Sequence, residues 1–154
     1  MSNSTDDKIM KIEARTAFGE LVANYCHGFD KRDYDRFLSI WWEDCIWDIG
    51  PPFGSFTGHN GIHTAIYDVL WPAWQQSRHY TTNLVVDFTG PNMAKGLCDV
   101  DCIGTTADDL SQTVAATYAD DFERRDGVWK IKKRKVTIHH FNPIPGLVLS
   151  PPQA

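Results

Sequence analysis

The first regular segment of the chain is residues 7–29, DKIMKIEARTAFGELVANYCHGF. Its apolar side chains recur at steps of three and four residues, which is the period of an amphipathic α-helix with one buried stripe. The stripe consists of Ile9, Ile12, Ala17, Phe18, Leu21, Val22, Tyr25, Cys26 and Phe29. The pattern therefore predicts a first helix from Asp7 to Phe29 that packs against the rest of the protein through one face.

Two further helices are predicted before residue 77. The second fits residues 33–42, and its inward side chains are Phe37, Ile40 and Trp41. A short strand over residues 45–49 follows and stops at Gly50-Pro51-Pro52, because glycine and proline interrupt regular structure. The third helix begins at His59 and reaches Trp71 or beyond, since apolar residues again recur at helical spacing, and Pro72 bends or ends it.

After Ser77 the apolar pattern changes to alternation with a period of two, which is typical of β-strands. Turn sequences separate these strands at Thr89-Gly90-Pro91-Asn92, Thr106-Ala107-Asp108-Asp109 and Arg125-Asp126-Gly127. Helices followed by a meander of long antiparallel strands belong to the α+β class. No repeat or linker divides the chain, so we expect one domain over residues 1–154 with the proline-containing residues 142–154 as a C-terminal extension.

Composition limits the class of function. The 154 residues are 42% hydrophobic and carry a net charge of −5, which argues against a nucleic-acid partner. The polar, acidic start and the lack of an apolar run of about 20 residues predict a cytoplasmic protein without a membrane span. The four cysteines, Cys26, Cys45, Cys98 and Cys102, lack metal-ligand spacing and are interpreted as buried free thiols.

Asp30 and His79 are the strongest candidates for chemistry. A carboxylate that orients an imidazole fixes its tautomer and stabilises the imidazolium, which makes a general base that works near neutral pH. Asp30 follows the predicted helix, where its charge opposes the helix dipole unless a cation or hydrogen-bond donor compensates. Strand alternation places His79 with Ser77, Thr81 and Asn83, on a more polar face than that of Leu84, Val86 and Phe88. Alternation alone would therefore predict a surface histidine.

Five short runs connect the chain with a known family. They are Asp30-Lys31-Arg32, Ser39-Ile40-Trp41-Trp42-Glu43-Asp44, Val69-Leu70-Trp71-Pro72, His79-Tyr80 with Thr82-Asn83, and Glu123-Arg124-Arg125-Asp126-Gly127-Val128-Trp129-Lys130. In order and spacing they resemble the hexachlorocyclohexane dehydrochlorinases of the SnoaL-like branch of the NTF2-like superfamily. The resemblance covers nearly the whole chain. It implies a cone-shaped, cystatin-like fold in which a curled antiparallel sheet carries three N-terminal helices over its concave face.

The resemblance also implies catalytic roles. The matching aspartate pairs with the catalytic histidine, so Asp30 and His79 become a base dyad, and Arg134 matches an arginine that assists the leaving group. Arg134 alternates with apolar residues, where an unpaired guanidinium would be costly, and an ion pair tying the sheet to the first helix is the alternative. Tyr25 stands where the dehydrochlorinases have lysine and resembles the bile acid 7α-dehydratases instead. A phenol can donate a hydrogen bond to a leaving hydroxyl or an enolate oxygen, and a core tyrosine is the alternative.

A wall of mostly apolar side chains is predicted around these residues. The resemblance assigns to this wall Phe29, Trp47, Leu70, Trp74, Ser77, Val114, Tyr118 and Val136. Strand alternation adds Cys102 to it. His139 and His140 are adjacent and hence on opposite strand faces, so at most one of them can face the cavity. Such a wall favours a compact, apolar and cyclic substrate.

The leading interpretation is a cofactor-independent lyase that carries out β-elimination, either dehydration or dehydrohalogenation. No metal, nucleotide or flavin is expected, since no glycine-rich phosphate loop or metal-spaced cluster is present. The same base could instead serve an isomerase resembling the ketosteroid isomerases or the polyketide cyclases, and a non-catalytic NTF2-like binding module is a third possibility. The resemblance implies a homotrimer, with a dimer as the alternative.

Overall fold

The structure is a computed structural model, and it describes residues 4–144. Its elements, in chain order, are α1 (Thr5–Asp30), α2 (Tyr34–Ser39), β1 (Trp41–Gly50), β2 (Gly54–Thr57), α3 (Gly58–Thr64), a π-helical segment (Ala65–Leu70), α4 (Trp71–Ala73), β3 (Trp74–Gly90), β4 (Met93–Thr106), β5 (Ser111–Arg125) and β6 (Val128–Pro143). None of the helices within this range has the length and apolar character needed to cross a membrane. The predicted C-terminal extension begins inside β6, and residues 145–154 of it lie outside the described part of the chain.

Helix α1 forms as predicted and is slightly longer. The Ser4 hydroxyl oxygen caps its start by accepting the backbone N–H of Asp7 at 3.1 Å, and the helix ends at Asp30. The buried stripe begins only at Ala14, whereas Ile9 and Ile12 are 48% and 64% exposed. The predicted stripe was therefore wrong in its first two turns, which precede the part of the helix that packs on the sheet.

Helix α2 is shorter than predicted. It ends at Ser39, and strand β1 begins at Trp41 rather than at Cys45. Trp41 pairs with Ile131 of β6, whose N–H donates to the carbonyl of Ile40 at 2.9 Å. The apolar spacing at the end of this segment is too short to distinguish a helix from a strand, and pairing with β6 decides the outcome.

The six strands form one curled sheet in the order β2-β1-β6-β5-β4-β3. Strands β3 to β6 are the predicted antiparallel meander, and the α+β class is confirmed. The expectation of a purely antiparallel sheet was wrong, because β1 runs parallel to β6. The two strands are joined through the whole meander and not by a hairpin, so no tight turn imposes antiparallel pairing on them. Strand β2, which was not predicted, pairs with β1.

The third predicted helix is present over residues 58–73, with a π-helical segment in its middle. It starts one residue before His59 and ends just after Pro72, which lies in the first turn of α4. Trp74 then begins β3, three residues before the expected change at Ser77.

A β-bulge near Thr82 and Asn83 changes which side chains of β3 face inward. Before the bulge, the inward residues are Ser77, His79 and Thr81; after it, they are Leu84, Val86 and Phe88. The pairing register with β4 shifts between Thr82 and Val85, and Asn83 has a positive φ of 57°. Uninterrupted alternation had put these two sets on opposite faces. The bulge brings both onto the face that packs against α1, so the expectation of a surface His79 was wrong.

Close packing at Gly28 fixes α1 against α2. A Cβ atom at this position would lie 2.7 Å from the backbone nitrogen of Phe37. Only glycine permits this approach, and it places the neighbouring rings of Tyr25 and Phe29 in contact with Phe37, with ring centroids 5.0 and 6.1 Å away.

Candidate active site

An apolar cavity lies between the helices and the sheet. Its volume is about 80 Å³, measured as the space open to the centre of a water-sized sphere. Of the predicted wall residues all but Ser77 line it, namely Phe29, Trp47, Leu70, Trp74, Cys102, Val114, Tyr118 and Val136. Tyr25 and His79 also contribute to its surface.

Val100 also lines the cavity, as its alternation with Cys102 indicates, and five further wall residues were not predicted: Ile49, Phe53, Ala116, Ile138 and Phe141. Simple alternation from Trp47, Tyr118 and Val136 would have found the first, third and fourth of these. Phe141 could not be found in this way, because the register of β6 shifts where Ala115 pairs with His140 and Ala116 with Ile138. The same bulge leaves both His139 and His140 exposed and outside the cavity wall. The two histidines therefore do not follow simple alternation.

Asp30 and His79 meet at the edge of this cavity. The Asp30 Oδ1 atom lies 2.6 Å from the His79 Nδ1 atom, and the two side chains are only 6% and 11% exposed. The Asp30 Oδ2 atom accepts the backbone N–H of His79 at 2.8 Å, and the Ser77 hydroxyl donates to Oδ1 at 2.7 Å. These donors compensate the unfavourable position of a carboxylate at the last residue of α1. Ser77 thus orients the carboxylate and does not line the cavity as expected.

The pair perturbs both ionisations. Burial alone would raise the pKa of Asp30, but the hydrogen bonds and charge of His79, with the Ser77 hydroxyl, hold it below its usual range. Burial would likewise lower the pKa of His79, but Asp30 and then Cys102 raise it to about 10. We therefore describe the resting pair near neutral pH as an imidazolium held by a carboxylate.

Two aromatic rings hold the imidazole edge-on. The ring centroids of Phe29 and Tyr25 lie 5.1 and 6.1 Å from that of His79, with interplanar angles of 76° and 89°. Both rings come from α1, one and five residues before Asp30. The end of this helix therefore supplies the carboxylate and two of the rings that surround its imidazole partner.

Arg134 lies behind the cavity wall and is fully buried. Its Nε and Nη2 atoms donate to the two carboxylate oxygens of Asp120 at 2.8 and 2.7 Å. The alternative prediction for Arg134 was an ion pair with the first helix. That prediction was wrong about the partner, because Asp120 belongs to β5. Helix α1 contributes Tyr25 instead, and the guanidinium carbon lies 4.3 Å from the ring centroids of both Tyr25 and Tyr118.

Burial dominates the ionisation of the two phenols. It raises the pKa of Tyr25 above its usual range, although the Arg134 charge and the Tyr118 hydroxyl oppose the shift. It also raises the pKa of Tyr118 well above its usual range. Both therefore stay protonated at neutral pH and can donate hydrogen bonds. Within residues 4–144, no three His, Cys, Asp or Glu side chains are grouped so that they could hold a metal ion.

Comparison with known proteins places the chain in a family. The SnoaL-like domain family matches residues 10–135. The chain belongs to the SnoaL-like family. The expected NTF2-like resemblance is thereby confirmed.

Curated SnoaL-like relatives match nearly the full chain. Hexachlorocyclohexane dehydrochlorinase 1 of Sphingobium indicum is 36% identical over 145 residues, which cover 94% of each protein. The gamma-hexachlorocyclohexane dehydrochlorinase of Sphingobium indicum is 35% identical over 143 residues, or 92% of this chain and 91% of the relative. Each match therefore spans nearly the whole length of both proteins.

Solved structures of other proteins agree with this fold. The crystal structure of LinA superposes with a TM-score of 0.90 at 34% identity, and covers 94% of this chain and 99% of its own. A protein of Nostoc punctiforme with a cystatin-like fold matches with a TM-score of 0.67 at 19% identity, over 96% and 98% of the two chains. The second similarity concerns the fold alone.

Proposed function

We propose that this SnoaL-like protein is a cofactor-independent lyase that catalyses β-elimination on a small hydrophobic cyclic substrate. The observation that carries the proposal is the 2.6 Å contact between Asp30 and His79, with the imidazole at the wall of an apolar cavity. The dehydrochlorinase names of the relatives support the reaction class.

His79 would accept the proton from carbon. Its Nδ1 atom is bound to Asp30, so Nε2 is the ring nitrogen left for the substrate. The electrons of the broken C–H bond form the new double bond, and the leaving group departs with the electron pair of its own bond to carbon. The proton remains on the imidazole, whose positive charge the Asp30 carboxylate stabilises.

The cavity wall would select the substrate by desolvation. Trp47, Leu70, Val114 and Val136 present apolar surface with few hydrogen-bonding groups. A ring that carries several polar substituents would lose hydration there without replacement. A compact apolar ring with one or a few leaving groups fits this wall best.

Tyr25 and Tyr118 are the polar groups opposite this apolar surface. Both phenols line the cavity, and the buried charge of Arg134 lies beneath the two rings. We therefore assign Arg134 an indirect role, in which it makes the phenols better hydrogen-bond donors toward a leaving group. A phenol suits departing oxygen better than departing chloride, so dehydration is expected to be faster than dehydrohalogenation.

The isomerase alternative uses the same residues. If the bound ring carried a carbonyl group, Tyr25 could stabilise an enolate while His79 returned the proton to another carbon. Product analysis separates the two reactions, because elimination releases halide or water and isomerisation releases nothing. A binding module without activity would have no use for the dyad beside an open cavity.

The test is a panel of halogenated, hydroxylated and carbonyl-containing rings, assayed with wild type, His79→Gln and Asp30→Asn. Each substitution is expected to lower kcat by about 10²–10⁴-fold, the usual range for general-base catalysis. His140→Gln is the matched control, since His140 is an exposed histidine outside the cavity. Near-full turnover by His79→Gln on the best substrate would exclude the dyad as the base.

We also propose a homotrimer. Val85 and Leu97 face each other in neighbouring strands β3 and β4, and both are exposed, as is Tyr80. Apolar side chains grouped on the outer face of a sheet favour contact with another subunit.

A further inference from the structure

We infer that Cys102 is a second reactive group of the cavity, a nucleophilic thiol that alkyl halides alkylate with His79 as its base. The inference uses the Asp30–His79 contact but does not depend on the proposed elimination, because it requires no proton to be taken from carbon. It assigns a site of covalent modification and a second reaction to the same cavity.

The geometry brings Cys102 against the imidazole. In the antiparallel register of β3 and β4, Cys102 is the direct partner of His79, and both side chains line the cavity. Cys102 is 4% exposed, so its sulfur is shielded from bulk water yet open to a bound ligand. The Nδ1 atom of the imidazole is occupied by Asp30, so Nε2 is the ring nitrogen left for Cys102.

This arrangement has the parts of an activated nucleophile: a thiol, a base beside it, and a carboxylate that orients the base. Asp30 raises the pKa of His79, so the neutral imidazole is a stronger proton acceptor than that of an unperturbed histidine. The thiolate is the reactive form of cysteine. The same contact that prepares His79 for a carbon-bound proton thus also prepares it for the proton of Cys102.

The three other cysteines lack this arrangement. Cys45 and Cys98 are buried away from the cavity, and burial raises their thiol pKa values to about 11 and about 12. Cys26 points to the groove between α1 and β3, where its sulfur lies 3.2 Å from the Thr81 hydroxyl. The three therefore serve as internal references for thiol reactivity in the same folded chain.

The proposed step is a substitution at carbon. In the neutral form of the imidazole, which becomes more abundant as the pH rises toward 10, the Cys102 S–H proton moves to His79 Nε2, the sulfur forms a bond to the carbon that bears the halogen, and the carbon–halogen bond breaks. The halide leaves with the electron pair of that bond. The product is a thioether attached to the cavity wall, which water does not hydrolyse under mild conditions, so each alkylation blocks one cavity.

Benzyl bromide is a suitable probe for this reaction. It is a compact apolar ring compound with an activated halide, and it has no hydrogen on a neighbouring saturated carbon that a base could remove in an elimination. Attachment of a benzyl group therefore measures substitution at carbon without competition from elimination. Intact-mass measurement counts the attached groups over time, and peptide mapping locates them.

With the native full-length chain, we expect the first benzyl group on Cys102, at least about tenfold faster than on Cys26, Cys45 or Cys98. In His79→Gln, the rate of Cys102 alkylation is expected to fall by about 10²-fold, which is within the usual contribution of a general base to a reaction rate. Cys102→Ser is expected to remove the fast phase of alkylation. Cys98→Ser is the matched control, because Cys98 lies earlier on the same face of β4, and it is expected to retain the fast phase.

Two results would overturn the inference: first labelling at another cysteine, or an unchanged Cys102 rate in His79→Gln. Asp30→Asn is the second variant, should His79→Gln not fold, and it is expected to slow Cys102 alkylation by at least about tenfold. If no ring compound undergoes elimination but Cys102 is alkylated as described, the proposed function fails and this inference stands.

Discussion

Asp120 of β5 and Arg134 of β6 are direct partners in the sheet register, and their fully buried side chains form two parallel hydrogen bonds of 2.8 and 2.7 Å. The carboxylate neutralises a cation that lies under the rings of Tyr25 and Tyr118. The charge of the guanidinium is therefore paired on one side and covered by aromatic rings on the other.

Asp120→Asn is expected to lower the free energy of unfolding by about 3–5 kcal/mol, because it leaves a buried cation without its counter-ion. Urea unfolding at constant pH measures the loss. The neighbouring Asp121→Asn is the control: Asp121 pairs with exposed Lys95, and its loss is expected to have little effect. An equal effect of the two substitutions would contradict the assignment.

The pH dependence of activity follows from His79. Its pKa is raised to about 10, and only the neutral imidazole can act as a base. We therefore expect kcat/KM to rise steadily from pH 7 toward pH 10, whereas an unperturbed histidine would reach its plateau near pH 7.5. Asp30→Asn should lower the maximum and move the rise to lower pH. A flat wild-type profile above pH 7.5 would argue against this assignment.

Stability should depend on pH in the opposite direction. A histidine whose pKa is raised in the folded state stabilises the fold fully at pH values below its unfolded-state pKa of about 6.5. This stabilisation is lost as the pH rises through the folded-state pKa of about 10. The lowered pKa of Asp30 keeps the contribution present above about pH 4. The difference in unfolding free energy between wild type and His79→Gln should therefore be larger at pH 6 than at pH 10. Denaturant unfolding at both values tests this, and a difference that grows with pH would refute it.

Tyr25→Phe tests the leaving-group proposal. The substitution removes the phenol hydrogen-bond donor but retains the ring contacts with His79 and Arg134. We expect kcat for dehydration to fall about 10-fold or more and kcat for chloride elimination to fall less, because a phenol stabilises departing oxygen better. Tyr34→Phe is a control for loss of a phenol outside the cavity. If chlorinated rings are the fastest wild-type substrates, the role of Tyr25 is misassigned.

The trimer proposal is tested by light scattering. At micromolar concentration we expect a mass three times the 17.5 kDa of the chain. Leu97→Glu should reduce this mass, because it places a charge in the exposed apolar group of β3 and β4. Ile12→Glu, at an exposed apolar position of α1, should leave it unchanged. A wild-type monomer would exclude the proposal.

Long, regular patterns were predictable from the sequence. Helix α1 and the meander β3 to β6 repeat their period over many residues, so local errors do not change the assignment. The residues of the candidate dyad depended on the resemblance to the dehydrochlorinases, since alternation placed His79 on the wrong face.

Two of the remaining errors share one physical cause, which is that pairing between distant strands overrides the local pattern. Trp41 joins β1 because Ile131 of β6 pairs with it. Phe141 reaches the cavity because β6 gains an extra residue opposite β5. Neither partner could be identified from the residues near the position itself.

The bulge in β3 also allows a single strand to meet two structural requirements, one for the candidate site and one for the core. Residues before Asn83 serve the candidate site through His79, and residues after it serve the core through Val86. A strand that kept its length but lost the bulge would alternate without interruption, and only one of the two sets could then face inward: if the core kept its register, the imidazole would turn to the outer face. Deleting Asn83 would instead keep His79 and Val86 on the inner face without a bulge, so the length of this strand and its bulge must change together if the candidate site is to be preserved.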